Sequence, residues 1–137
     1  MNKYFLDTSI IIPYIRGNKE VTEFIDKLEG ELISSYICLA ELYEGIARYK
    51  NKESAEKNLL IFFHGLDEII GLSKEISKTF GFIRTELREK GLLIEDMDIL
   101  IAASCLEYQA VLVTENVKHF SRITNLKIRA SKISKED

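Results

Sequence analysis

The chain has 137 residues, a length that suits one domain rather than two. Hydrophobic residues make up 46% and charged residues 30%, with both signs mixed, so a packed core is within reach and disorder is excluded. The formal net charge of −3 excludes nucleic-acid binding by bulk electrostatics, and any such partner must be met at a local site that recruits cations.

Cys38 and Cys105 stand far apart without a C-x-x-C partner, which gives neither a disulfide framework nor a zinc signature. Both lie in apolar helical stretches and read as small buried hydrophobes. The N-terminus lacks an adequate apolar signal segment, and no apolar run reaches membrane-spanning length. The expectation is a cytoplasmic protein with no membrane contact.

Tyr4-Phe5-Leu6 reads as a buried strand opening onto the turn Asp7-Thr8-Ser9. Ile10 to Ile15 begins a helix, with Pro13 placed in its first turn. Gly17-Asn18 breaks the pattern. Val21, Phe24, Ile25 and Leu28 then recur at helical spacing, with Gly30 as the stop. Residues 31–35 read as a second strand. A helix follows from about Ile37, with Leu39, Leu42, Tyr43 and Ile46 on one face. Lys50-Asn51-Lys52 is a polar break, Ala55 to Phe63 is helical, and His64-Gly65 ends it. Residues 68–72 form a third strand candidate. Ser73 caps a helix reaching Lys90, and Gly91 closes it. Ile99 to Tyr108 is a strongly apolar helix opened by Asp96 and Asp98. Ala110 to Thr114 is a fourth strand, Asn116 to Phe120 a short helix or turn, and Leu126 to Arg129 an edge strand. Residues 131–137 read as a frayed polar tail. Phe62, Phe63, Phe80 and Phe82 read as packing.

Strands alternate with helices throughout, which implies a single α/β domain over 1–137 with a mainly parallel sheet. In such sheets ligands bind outside the carboxyl ends of the strands. Asp7 follows the first strand, Glu41 lies in the helix after the second, Asp98 opens the helix before the fourth, and Asn116 follows that strand. Carboxylates gathered in one crevice repel one another, and a divalent cation resolves the conflict. Oxygen ligands without histidine or thiolate select Mg2+ or Mn2+ over zinc.

Each residue also has a bland reading. Asp7-Thr8-Ser9 fits a turn or a cap. Glu41 fits a solvated helix position, although its flanks are mostly apolar. Asp96 and Asp98 fit helix-dipole partners, a reading better suited to Asp96 than to Asp98, whose helix runs on into Ile99-Leu100-Ile101-Ala102-Ala103. Asn116 fits a turn. His64 and His119 form no ligand pair and read as capping or surface residues. No P-loop or G-x-G-x-x-G motif is present, which disfavours a nucleotide cofactor.

Four blocks then stand in order: Phe5-Leu6-Asp7-Thr8-Ser9, Leu39-Ala40-Glu41-Leu42-Tyr43-Glu44-Gly45, Asp98-Ile99-Leu100-Ile101-Ala102-Ala103, and Leu112-Val113-Thr114-Glu115-Asn116 with His119-Phe120. Together they resemble the PIN-domain signature of VapC toxins, and the match covers nearly the whole chain. The resemblance implies a PIN-like three-layer α/β/α fold and a Mg2+-dependent endoribonuclease, the toxin of a type II toxin–antitoxin pair. It implies Asp7, Glu41 and Asp98 as the acidic triad. Asp7 and Asp98 would hold Mg2+ (or Mn2+) directly, with Glu41 bound directly or through water, for in-line attack of water on a phosphodiester.

The family's fourth acidic position falls on Asn116, or on Glu115 if the motif shifts by one, with Asp96 as a substitute. Thr114 matches a strand-end threonine, and Thr8 stands beside Asp7. Arg16, Lys118 and Arg122 are candidate contacts to RNA phosphates, although each taken singly reads better as a solvated surface charge. The implied partners are RNA, a VapB-type antitoxin and a second copy of the chain in a homodimer. The rival readings are a PIN nuclease of RNA processing or decay, a response-regulator-like module, and a fold that only binds RNA. The regulator reading lacks its acidic pair and its aspartate after a middle strand, and the intact triad opposes the last.

Overall fold

The computed structural model describes residues 1–131. Phe5 and Leu6 are both fully buried, although successive strand residues point to opposite faces of a sheet. Both faces of their strand are therefore covered, as a parallel sheet requires. That strand, β1 (Asn2–Leu6), is the centre of five. The others are β2 (Gly30–Ser35), β3 (Glu68–Ile70), β4 (Val111–Val113) and β5 (Ile128–Arg129). They pair in the order β3-β2-β1-β4-β5, and every pair is parallel.

Helices fill every crossover. α1 (Thr8–Ile15) and α2 (Lys19–Asp26) join β1 to β2, and α3 (Tyr36–Ile46) and α4 (Lys52–His64) join β2 to β3. α5 (Lys74–Glu89) and α6 (Asp96–Tyr108) lead back across to β4, and the short α7 (Val117–Phe120) precedes β5. The order runs outward from β1 to β3 and then reverses past β1 to β4. Right-handed crossovers therefore put α1–α4 on one face and α5–α7 on the other. The result is the three-layer α/β/α arrangement, with the direction reversing between β1 and β4.

Caps set several boundaries. The side chains of Asn18, Ser35, Asn51 and Ser73 accept from the amides of Val21, Cys38, Ser54 and Ile76. Asn51 thus turns an apparent polar break into a helix start. Gly91, at φ 69°, follows α5 as the sequence indicates.

Four local expectations need correction. Pro13 lies in the sixth position of α1, past its first turn, because the helix begins at Thr8. Its ring removes the bond that the Ser9 carbonyl would accept, and the helix ends two residues later. Gly30 is not a helix stop, since α2 ends at Asp26 and Gly30 opens β2. A Cβ there would stand 2.3 Å from the Asn2 carbonyl oxygen, so the strand pairing itself demands glycine. Gly30→Ala should lower stability by about 1–3 kcal/mol, read as a fall in the denaturant midpoint. Phe82 is 70% exposed and stands outside the core, whereas Phe63 is buried and Phe62 and Phe80 lie against the core. Ser131, expected to begin a frayed tail, is buried and bonded to Glu115, while 132–137 lie outside the described residues.

Candidate active site

The crevice opens where β1 and β4 send their chains to opposite faces of the sheet. Asp7 is the first residue beyond β1, and its amide donates to the Val113 carbonyl of β4 at 3.1 Å. It occupies the N-cap position of α1, yet its carboxylate makes no capping bond. Oδ2 instead meets the Ser9 and Thr114 hydroxyls, each at 2.8 Å. Those two hydroxyls also stand 3.1 Å apart. Both hydroxyl protons can go to Oδ2, and two donors from different elements fix it in place. The Glu115 amide donates to Ser9 Oγ and the Asn116 amide to Thr114 Oγ1, which locks the β4–α7 turn to the same cluster. Asp7 is only 4% exposed.

Glu41 reaches the crevice from the middle of α3. Burial, then the charges of Asp7 and Asp98, push its carboxyl up to about 7, while a hydrogen bond from Thr8 pulls the other way. Its Oε1 is shielded from solvent and has no partner among the described residues. Asp98, in the first turn of α6, is pushed up to about 6 by burial and then by Asp7, with His119 opposing. A carboxylate governed by the helix dipole would move down, so the dipole is not what sets Asp98. Three elements thus bring Asp7, Glu41 and Asp98 within electrostatic reach of one another.

A cavity of about 530 Å³ opens beside them, lined by Thr8, Arg16, Glu41, Arg48, Tyr49 and Asp98 among others. The Arg16 guanidinium donates to the Tyr49 hydroxyl at 2.9 Å on this wall.

Other sequence candidates fall elsewhere. Asp96 forms an ion pair with Arg84 at 2.8 Å on an exposed surface, and so leaves the carboxylate cluster for α5. Arg122 donates to the Leu92 and Leu93 carbonyls and pins the loop before α6. Lys118 is exposed on α7. Asn116 is the N-cap residue of α7 but makes no side-chain cap bond. Glu115 turns toward Ser131, leaving its Oε1 buried and unpartnered among the described residues.

Two residues escaped sequence reasoning. Cys38 is not merely a packing thiol, because ligand atoms of Asp7, Cys38 and Glu41 lie within 4.8 Å of one another. The signal was its spacing, since residues three apart on a helix share a face. His119, read as capping or surface, lies near enough to Asp98 to favour its charged form, and its Nδ1 is shielded without a partner among the described residues. Four residues of α7 turn it back toward the crevice, which no periodicity in so short a segment reveals.

Comparison with known proteins assigns the family, because residues 4–126 match the model described as the PIN domain. This chain belongs to the PIN domain family. The relatives include Ribonuclease VapC2 of Rickettsia felis, 41% identical over 128 residues, covering 90% of this chain and 93% of the relative. Ribonuclease VapC1 of Methanocaldococcus jannaschii is 33% identical, covering 89% and 82%. Among solved structures, VapBC2 from Rickettsia felis bound to a promoter DNA fragment aligns with a TM-score of 0.87 at 36% identity, covering 93% of this chain and 98% of that one. Thus the PIN fold indicated by the sequence blocks is the fold observed, and the carboxylates sit at the carboxyl end of a PIN-domain sheet.

Proposed function

We propose that this chain is a divalent-cation-dependent endoribonuclease, with Mg2+ as its cation and Mn2+ able to substitute, and the toxin of a VapBC-type pair. Membership of the PIN family and relatives that are VapC ribonucleases support nuclease activity. The observation that carries the site assignment is the convergence of Asp7, Glu41 and Asp98, with Glu41 and Asp98 displaced upward by burial and mutual repulsion. These carboxylates make no ion pair among the described residues, His119 offsetting the repulsion at Asp98 alone, and the shielded, unpartnered Oε1 of Glu41 is an acceptor that a cation would satisfy. The donors are oxygens, which fits a hard cation. Bound there, such a cation supplies Lewis acidity to a phosphodiester and to its attacking water.

The remaining roles belong to this chain's own groups. Ser9 and Thr114 hold Asp7 in one orientation. Thr8, beside Glu41, favours its charged form. Arg16, on the cavity wall and tethered to Tyr49, is placed to meet a phosphate of the RNA backbone. Lys118 and Arg122 are weaker candidates, and Arg122 would have to leave two carbonyls to serve.

Solved relatives crystallised as VapBC complexes support a VapB-type antitoxin as partner, and a homodimer belongs to the same proposal. Among the described residues no helix is long and apolar enough to cross a membrane, consistent with the cytoplasmic site such a pair requires.

The purified chain should cleave RNA with Mg2+ or Mn2+ and not in excess EDTA. Cleavage unaltered by EDTA would overturn the cation-dependent reading. Expression should arrest host growth, with relief on co-expression of a VapB-type antitoxin. Harmless accumulation of folded, RNA-cleaving protein would instead point to RNA processing.

A further inference from the structure

We propose that Cys38 gives the carboxylate site a second class of cation: its thiolate, with Asp7 and Glu41, binds a thiophilic divalent ion such as Zn2+ or Cd2+ in competition with Mg2+. The inference rests on the reading of these carboxylates as a cation site.

Ser35 accepts from the Cys38 amide and fixes the first turn of α3, which sets Cys38 and Glu41 on one face. Ligand atoms of Asp7, Cys38 and Glu41 already lie within 4.8 Å of one another. Around one tetrahedral zinc with a sulfur and oxygens, neighbouring ligand atoms stand about 3.5 Å apart, so a contraction of roughly 1 Å brings all three onto one ion. Asp7 is held by Ser9 and Thr114, so the movement falls on Cys38 and Glu41. The Cys38 sulfur reaches the Leu6 carbonyl only at 3.9 Å and otherwise meets the Ser34 and Ser35 hydroxyls, and Oε1 of Glu41 has no partner among the described residues. Glu41 also lines the cavity, so an ion entering there meets one of the three ligands at once.

Ligand softness does the sorting. A hard cation leaves a thiol protonated and takes the carboxylates, whereas zinc and cadmium accept thiolate. Binding breaks the S–H bond, forms a metal–sulfur bond and releases one proton to solvent.

The test is titration of the full chain with Cd2+ near pH 7.5, following the ultraviolet sulfur-to-cadmium charge-transfer band. The wild type should show a saturable band that excess Mg2+ competes away. Cys105 is the second thiol of the chain, also buried, and Cys105→Ala should keep the band. Cys38→Ser and Cys38→Ala should lose it, with Cd2+ affinity reduced about tenfold or more. Cys38→Ser keeps the volume nearly unchanged and can still donate to the Leu6 carbonyl, so it reads the outcome if the alanine variant does not fold. A missing band in the wild type, a band that survives in the folded Cys38 variant, or one that Mg2+ leaves untouched would overturn the inference. If Mg2+ raises the melting temperature of the wild type but Cd2+ gives no band, this inference fails and the cation-site reading stands. If neither cation acts, both fail.

Discussion

Asp7→Asn and Asp98→Asn should each lower RNA cleavage by about 100-fold or more while leaving the circular-dichroism spectrum native. Loss of a group that merely orients a metal ligand already costs about 10- to 100-fold, and loss of a ligand costs more. Asparagine keeps the shape and one acceptor oxygen, so folding should survive. For Asp7 the two hydroxyls at Oδ2 still find an oxygen if the amide is turned toward them, which preserves the joint between β1 and β4. What disappears is charge. Asp7 ranks second only to burial in pushing up Glu41 and Asp98, so both should ionise at lower pH in Asp7→Asn. The internal control is Asp96→Asn, two residues before Asp98 on the same helix but ion-paired to Arg84 on the exposed surface. It should keep cleavage within a few-fold of wild type. Equal losses at Asp96 and Asp98 would show that the first turn of α6 matters for its dipole or its fold and not for a ligand.

The second large effect is on stability. Glu41 and Asp98 ordinarily ionise near 4.5 and 3.8, and in the folded chain near 7 and 6. Their folded values are raised, so between about pH 4 and pH 7 the native state holds protons that the unfolded chain has released. Stability without metal is therefore fullest below about pH 4 as far as these groups decide it, and it falls as pH rises toward 7. A cation acts in the opposite sense. It binds the ionised, assembled site and not the unfolded chain, so its stabilising effect should grow over the same window. At a free concentration of about 100 times its dissociation constant, Mg2+ adds roughly 2.7 kcal/mol. For a domain of this size that is a rise in melting temperature on the order of 5–15 °C. Melting curves at pH 5 and pH 7.5, with and without Mg2+, read both halves. A large shift at pH 7.5 and a small one at pH 5 is the expected pattern.

The residues differ in how plainly the sequence announced them. β1 was legible because Tyr4-Phe5-Leu6 is apolar and stops at a polar triplet. α5 was legible because Ser73 and Gly91 bracket it with the chemistry that helix ends require. Asp7, Glu41 and Asp98 could be placed at the crevice because a parallel sheet gathers its strand ends, and that rule needs no distances. Gly30 was misread because a glycine that stops a helix and one that admits a neighbouring strand look alike in one dimension. Only the Asn2 carbonyl, 28 residues earlier, tells them apart. The partners of Arg122 and Asp96 were not legible for a related reason. A charged side chain reaches several partners, and the choice of Leu92, Leu93 or Arg84 is made by packing between elements far apart in the chain. Cys38 was dismissed because its neighbours are apolar, yet on α3 its face is the one that carries Glu41.

The most direct test of the central claim, that Asp7, Glu41 and Asp98 form one cation site, is thermal melting of the wild type and Asp98→Asn at pH 7.5. Each would be measured in EDTA and in saturating Mg2+. Without metal, Asp98→Asn should melt at or above the wild type, because it removes a repelling charge from a half-buried cluster. With Mg2+, the wild type should rise by about 5–15 °C and the variant by little. A variant that melts far below the wild type in EDTA, or one that gains as much from Mg2+, would contradict the account, since Asp98 would then be holding the fold together and not holding a cation.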